Sequence, residues 1–316
     1  MYDPLVTTYT VSLVLVGLVT ISALALSVLF HFFTIRLVSG DVNSFRFVKY
    51  AKLGFRLFFL GNLIVVIHGA MTARTLNEPY DIYSSRYLTI RAQESISIPI
   101  QHFGAAAIFL SLFYLARILT LSQPDETSKG RGKKWAHGAA IWVLLASLTA
   151  MILTISVWAA KASDPYDDSS DSDMSYYIRG IVSFSLEAAL YATHIICAIF
   201  VLVYIVKTRK KVLGTPLRKV SDLMLTAGIL WLVRVVWLVL SIVLSSLVVS
   251  PYAGDGLGYF KLFLDVFLDP YLTFVVLVLL FVLATSEKYA LAQPEQPQEP
   301  QEQEQEQRTK NMEQVV

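Results

Sequence analysis

The stretch LFLDVFLDPYLTFVVLVLLFVLA, residues 262–284, decides the fold class of this chain. It is apolar over the length that a helix needs to cross a lipid bilayer, about 20 residues. It nevertheless contains two aspartates, Asp265 and Asp269, and Pro270 follows the second one directly. Ionisable groups at bilayer depth are expensive to bury, so each aspartate is a candidate functional residue.

The whole chain has the same apolar character. Of its 316 residues, 55% are hydrophobic and 16% are charged, and its mean hydropathy is +0.57. Soluble domains contain about 25% charged residues, so the composition argues against a water-soluble fold. The net charge of +2 gives no reason to expect binding to nucleic acid, and the single cysteine, Cys197, excludes an intrachain disulfide.

We predict an all-α, polytopic membrane protein whose seven transmembrane helices form one bundle over residues 1–290. Residues 291–316 are rich in Gln, Glu and Pro, which predicts a disordered tail. The predicted spans are 9–35, 52–73, 97–120, 136–160, 180–206, 223–249 and 259–284.

The charges of the connecting loops predict the orientation of the bundle. The three odd-numbered loops, together with Lys52 and Arg117 at the adjoining span ends, carry 15 lysines and arginines. The three even-numbered loops, together with Lys261 at a span end, carry six. Because basic loops stay in the cytoplasm, we expect the C-terminus to be cytoplasmic and the N-terminus to be luminal or outside. We expect the membrane to be that of the endoplasmic reticulum or another part of the secretory pathway.

Polar residues within the predicted spans gather at one depth once the helix directions are assigned. On the fifth helix, Glu187, Tyr191 and His194 follow one face. The cytoplasmic half offers only His31 and Arg56, near helix ends, so the sequence predicts a polar pocket that opens to the lumen. The residues between the midplane and the luminal side are Asn62, His68, Gln101, His102, Glu187, Arg234, Asp265 and Asp269.

Several familiar classes of site are not supported. A retinal protein needs a lysine in the middle of the last span, and Lys261 lies at its edge. The third helix ends YLARILTLS without Asp-Arg-Tyr, and the last has DPYLTF instead of Asn-Pro-x-x-Tyr, which weakens a rhodopsin-like receptor. Histidine and carboxylate spacings typical of metal sites do not occur within the spans, so we predict no metal and no cofactor.

The segments SFSLEAALYATH, LWLVRVVW and LFLDVFLDPYL place acids and an arginine in aromatic membrane helices. In this and in its length and span number, the chain resembles the fungal membrane-bound terpene cyclases of meroterpenoid biosynthesis, of the ascochlorin and macrophorin type. The resemblance covers the whole bundle. It implies a hydrophobic prenylated substrate, with a farnesyl-type and in some cases epoxidised chain, which the enzyme protonates and cyclises within the membrane lipid.

We hypothesise that Asp265 or Asp269 donates the proton and that Glu187 is a second acid or base. Arg234 would hold one carboxylate and orient the head group of the substrate, or would pair with it only as a structural lock. The other predicted substrate-binding residues are His68, Gln101, His102, Tyr191, Trp231 and Trp237. Two alternatives remain open, a seven-helix receptor or sensor and a proton-coupled transporter of lipids or small molecules; any protein partner is unknown.

Overall fold

Within the part of the chain that the structure describes, seven helices are long and apolar enough to cross a membrane, as the hydropathy pattern predicts. The computed structural model describes residues 4–33, 42–75, 85–121, 131–163, 170–215, 217–247 and 256–285, and within these ranges the fold is all-helical. By length and composition, these helices make the chain an integral multi-pass membrane protein. The predicted tail, 291–316, lies outside the described residues.

The helices are longer than the predicted spans. They are α1 (Pro4–Phe33), α2 (Val42–Thr75), α3 (Ser85–Leu121), α4 (Arg131–Ser163), α5 (Ser170–Val212), α6 (Arg218–Leu247), α7 (Gly256–Val266) and α8 (Leu272–Thr285). A short π-helical segment, Phe267–Tyr271, joins α7 to α8, and the three together form the seventh span.

Helix α3 is the central helix of the bundle. In its most apolar part 89% of the residues are buried, against 22–33% in the other six spans. Consecutive spans pack against each other along the chain, and α1 also contacts α7. Helix α3 touches α2, α4, α5, α6 and α8, so side chains on its different faces meet almost every other part of the bundle.

Small residues let α2 and α3 approach closely. A Cβ atom on Gly61 would lie 3.2 Å from Cγ of Gln101, and one on Gly54 would lie 3.2 Å from Cγ1 of Ile108. From the other side, a Cβ on Gly104 would lie 3.5 Å from Cβ of Leu57. Glycines at helix contacts are typical of membrane bundles, where close packing replaces the hydrophobic effect.

Candidate functional site

The two aspartates of the seventh span both face α6. Asp269 meets Arg234, whereas Asp265 meets Trp237 and Ser241. The α6 residues are three and four positions apart, so they share one face of that helix. The two helices run in opposite directions, so the contact of Asp265 with Trp237 and Ser241 and the contact of Asp269 with Arg234 follow each other along the interface. We call these two contacts the interhelical ladder, and each of them a rung.

Arg234 and Asp269 form the inner rung of this ladder. Nε of Arg234 donates to Oδ1 of Asp269 at 2.7 Å. The arginine side chain is only 8% exposed and that of the aspartate 26%. The guanidinium carbon of Arg234 also lies 4.8 Å from the centre of the Trp231 ring, a cation–π distance. The charge of Arg234 is thus held by a carboxylate on one side and an indole face on the other.

Asp265 is the outer rung and has three donors. Nε1 of Trp237 lies 3.0 Å and Oγ of Ser241 2.9 Å from its Oδ1, and Nζ of Lys261 lies 2.7 Å from its Oδ2. Lys261 is four residues earlier on the same helix. With both oxygens engaged, Asp265 ties α7 to α6.

Pro270 explains the change of helix type between α7 and α8. Proline lacks a backbone N–H and its ring collides with the carbonyl of residue i−4, so it disturbs a regular α-helix. The chain adopts the π-helical segment Phe267–Tyr271 at this point. The carbonyl of Asp269 accepts from the backbone N–H of Leu272 and, at 2.7 Å, from Oγ1 of Thr273. The widened turn therefore keeps its polar backbone groups bonded.

A pocket lies beside the inner rung, between α2, α3, α6 and the seventh span. It encloses about 340 Å³ of empty space, which includes its open mouth, and its interior holds little more than one water molecule. Its polar lining residues are Asn62, Gln101, Arg234, Asp269 and Thr273, and the indole of Trp231 forms part of its wall.

Two buried histidines meet between α3 and α5: His102 lies on α3 and His194 on α5. Nδ1 of His102 and Nε2 of His194 are 3.0 Å apart, and the two rings are nearly parallel at 7°. The ring of Tyr191 meets the His102 ring edge-on, with centres 5.4 Å apart. The charge of Arg234 acts on both histidines and on Tyr191. The histidine pair and the Arg234–Asp269 rung therefore belong to one electrostatic neighbourhood.

The remaining predicted site residues are Glu187 on α5 and His68 on α2. Glu187 is half-buried on α5, one turn before Tyr191, and its charge acts on that tyrosine. His68 is half-buried six positions beyond Asn62, about 9 Å further along α2. Its backbone carbonyl accepts from Oγ1 of Thr72. His68 is not among the residues that line the pocket.

A second polar cluster occupies the half of the bundle nearer the odd-numbered loops. Oη of Tyr114 lies 3.2 Å and Oη of Tyr50 3.4 Å from Nε2 of His137, and Nη1 of Arg46 donates to Tyr114 at 3.4 Å. The Tyr50 and Tyr114 rings are stacked, with centres 5.6 Å apart. Nδ1 of His137 lies 3.0 Å from the carbonyl of Lys133.

This second cluster corrects the expected asymmetry of the bundle. The sequence predicts only His31 and Arg56 in that half. Arg46 falls in the predicted first loop, whereas Tyr114 and His137 lie near the ends of predicted spans and do not stand out there. Helix α2 begins at Val42 and therefore takes Arg46 into the bundle. The signal available in the sequence was weak, since a tyrosine or histidine near a span end is typical of an interface belt.

No protein-family model, no curated protein and no solved structure matches this chain.

Proposed function

We propose that this chain is an integral membrane enzyme that protonates and cyclises the prenyl chain of a hydrophobic small molecule, as its resemblance to meroterpenoid cyclases implies. The observation that carries the proposal is the Arg234–Asp269 rung, which lies at bilayer depth and lines a pocket together with Trp231. Ionisable residues within membrane spans mark substrate or proton pathways more often than they serve packing.

The pocket offers groups for the polar head of such a substrate. Nε of Arg234 is occupied by Asp269, and its two terminal nitrogens remain as further donors. Nδ2 of Asn62 donates to the carbonyl of Phe58 at 2.9 Å, which leaves its amide oxygen as an acceptor. These groups lie on α2 and α6, so a head group held by both would be fixed in orientation.

In this proposal Asp265 or Asp269 donates the proton, and Glu187 is a second acid or base. Asp269 is the carboxyl group that lines the pocket, and Arg234 holds it at 2.7 Å. Glu187 is half-buried on α5, one turn before Tyr191. A carboxylic acid in such surroundings can act as a general acid on an alkene or epoxide.

Aromatic faces supply the second requirement of a cyclase, the stabilisation of carbocations. Trp231 lines the pocket, and Tyr191 lies beside the histidine pair. Because a farnesyl chain is much larger than the present interior of the pocket, binding must be accompanied by a separation of α6 from the seventh span or of α2 from α3.

The test is a cyclisation assay in microsomes with farnesylated phenols, with and without a terminal epoxide, followed by mass spectrometry for a product of unchanged mass. We expect the wild type to cyclise at least one of them. At least one of Asp265→Asn and Asp269→Asn should reduce product by at least about 100-fold, the usual contribution of a general acid, with substrate binding retained. Asp222→Asn is the matched control, because Asp222 pairs with Arg209 at 2.6 Å in the other half of the bundle. Equal product from the wild type and both asparagine variants would refute the assignment of the acid.

We propose that the N-terminus is luminal, that the C-terminus and the tail are cytoplasmic, and that the protein resides in a secretory-pathway membrane. The charge of the loops supports this orientation. It places the histidine pair and the ladder in the luminal half of the bilayer.

A proton-coupled transporter is the second candidate, and the second polar cluster is the observation that favours it. Tyr50 is twelve residues from Asn62 on α2, and Tyr114 is twelve from His102 on α3, so the two polar regions lie about 18 Å apart along the axis. A transporter needs polar groups on both sides of the apolar region that separates its two openings. Proton-driven uptake of the prenylated phenol into vesicles, without chemical change, would decide for this alternative.

A further inference from the structure

We propose that the second polar cluster and the lysines beside it form a binding site for an anionic phospholipid, whose phosphate lies between α2 and α4. This site is separate from the pocket. Tyr50 of the cluster is twelve residues from Asn62, which lines the pocket, so the two lie about 18 Å apart along α2. The inference does not depend on the proposed cyclisation.

The contact between α2 and α4 brings two cations together. Oη of Tyr50 on α2 lies 3.4 Å from Nε2 of His137 on α4. Arg46 stands one turn before Tyr50, and Lys133 stands one turn before His137. Since α2 and α4 are the second and fourth spans, they run in the same direction through the bundle. Both cations therefore lie on the same side of the contact, nearer the odd-numbered loops.

Hydrogen bonds within the cluster hold Arg46 in this place. Its Nη1 donates to Oη of Tyr114 at 3.4 Å, and that hydroxyl lies 3.2 Å from Nε2 of His137. Nδ1 of His137 donates to the carbonyl of Lys133 at 3.0 Å, so in the neutral ring Nε2 accepts from the tyrosine. Nε and Nη2 of Arg46 remain as donors, and guanidinium nitrogens suit phosphate oxygens in charge and geometry.

The charge around this place is unbalanced. Among the residues that the structure describes, no carboxylate pairs with Arg46 or Lys133, and Lys49 and Lys134 are exposed beside them on the same two helices. Asp222 is the described carboxylate in this half of the bundle, and it pairs with arginines of α5 and α6. Cations concentrated on two neighbouring helices without a facing acid favour an anionic ligand.

Exposed apolar side chains next to the cations favour a lipid as the source of the phosphate. Leu53, three residues beyond Tyr50, is 41% exposed, and Ile141, four residues beyond His137, is 58% exposed. Both are one turn deeper in the bilayer than the contact, where acyl chains can cover them. Trp135, 40% exposed, is typical of the lipid–water interface. The proposed orientation puts this end in the cytoplasmic leaflet, where anionic phospholipids are concentrated.

Competition between two lipids tests the site. The full chain is reconstituted in nanodiscs of phosphatidylcholine and phosphatidylserine in equal amounts, and native mass spectrometry counts the lipids that stay bound. We expect the wild type to retain phosphatidylserine by about 5-fold or more over phosphatidylcholine, the effect of one basic residue near a membrane surface. The double variant Arg46→Gln with Lys133→Gln should lose most of this preference.

The matched control removes the same charge from the same end of the bundle. Lys207 and Lys219 are exposed on α5 and α6, and the double variant Lys207→Gln with Lys219→Gln should keep the preference. Equal loss in both double variants would overturn a local site, and so would a wild type without preference. Lys133→Gln alone retains the backbone carbonyl that His137 contacts, so it should weaken the preference without disturbing the cluster.

A soluble head group separates a lipid from a free phosphate ester. Glycerophosphoserine has the phosphate and serine of the lipid but no acyl chains, and it should not displace bound phosphatidylserine at equal concentration. Displacement would overturn the lipid in favour of a water-soluble phosphate ester. None of these measurements uses a cyclised product, so failure of the lipid site and failure of the proposed function are distinguishable.

Discussion

Arg234 is the residue on which the inner part of the bundle depends most. It is 7% exposed, contacts Asp269 and Trp231, lines the pocket and acts electrostatically on the histidine pair. A buried ion pair need not add stability, because desolvation opposes the attraction between its charges. Removing only one partner, however, leaves an uncompensated charge in the interior.

We therefore expect Arg234→Met to lower the free energy of unfolding by about 3 kcal/mol. The double change Arg234→Met with Asp269→Leu should recover most of that loss, because no buried charge then lacks a partner. Thermal and denaturant unfolding in detergent micelles would measure both.

The matched control is Arg209→Met, which breaks the Arg209–Asp222 pair. Its N–O distance is 2.6 Å, but its side chains are 36% and 42% exposed. Exposed pairs contribute at most about 1 kcal/mol, so this variant should be nearly neutral. If Arg234→Met and Arg209→Met lowered the free energy of unfolding by equally small amounts, the Arg234–Asp269 pair would not be desolvated.

At the scale of helices, the contact between α2 and α3 sets the width of the pocket. Gly61 faces Gln101, which lines the pocket, so a side chain at position 61 would push α3 away. We expect Gly61→Leu to destabilise the protein by about 1–3 kcal/mol, the usual effect of overpacking. Unfolding in micelles is again the measurement.

Gly138→Leu provides the comparison for this helix contact. Gly138 is also helical, and a Cβ atom there would meet nothing within 4 Å. Leucine is a better helix former than glycine, so this variant should be unchanged or slightly more stable. Equal destabilisation by the two variants would mean that the α2–α3 contact is not close-packed.

The helices also show what hydropathy reveals and what it misses. It located all seven helices, because lipid-crossing segments need long apolar runs. Helices α2 and α5 begin at Val42 and Ser170, ten residues before the predicted spans 52–73 and 180–206, because both helices extend beyond their apolar parts. Hydropathy measures burial in lipid, whereas a helix continues as long as its backbone hydrogen bonds do.

The contacts of the ladder could be predicted only in part, because a sequence does not show the register between two packed helices. The spacing of Asp265 and Asp269 placed them on one face, and the i−4 spacing of Lys261 could have indicated its local pair with Asp265. Which aspartate meets Arg234 depends on the register between α6 and the seventh span. That register is set by packing of the whole bundle and by the π-helical segment, and neither is visible in one sequence.

For the whole molecule, loop charge predicts which side of the membrane each loop faces. Cys197 is the single cysteine and is buried, so Cys197→Ser gives a background without thiols. In that background, a membrane-impermeant thiol reagent should label Ser128→Cys in the third loop only from the cytoplasmic side. It should label Ser169→Cys, from the fourth loop, only from the luminal side. The reverse pattern would contradict the proposed orientation.

The interhelical ladder also has a consequence for synthesis of the protein. A lone arginine, lysine or aspartate at the centre of a spanning helix opposes insertion by about 2.5–3.5 kcal/mol. Arg234 and Asp269 are on consecutive spans, and each neutralises the other only when α6 and the seventh span lie side by side. We therefore expect α6 and the seventh span to leave the translocon together as a hairpin. Helix α6 would then remain in the translocon until the seventh span has been synthesised.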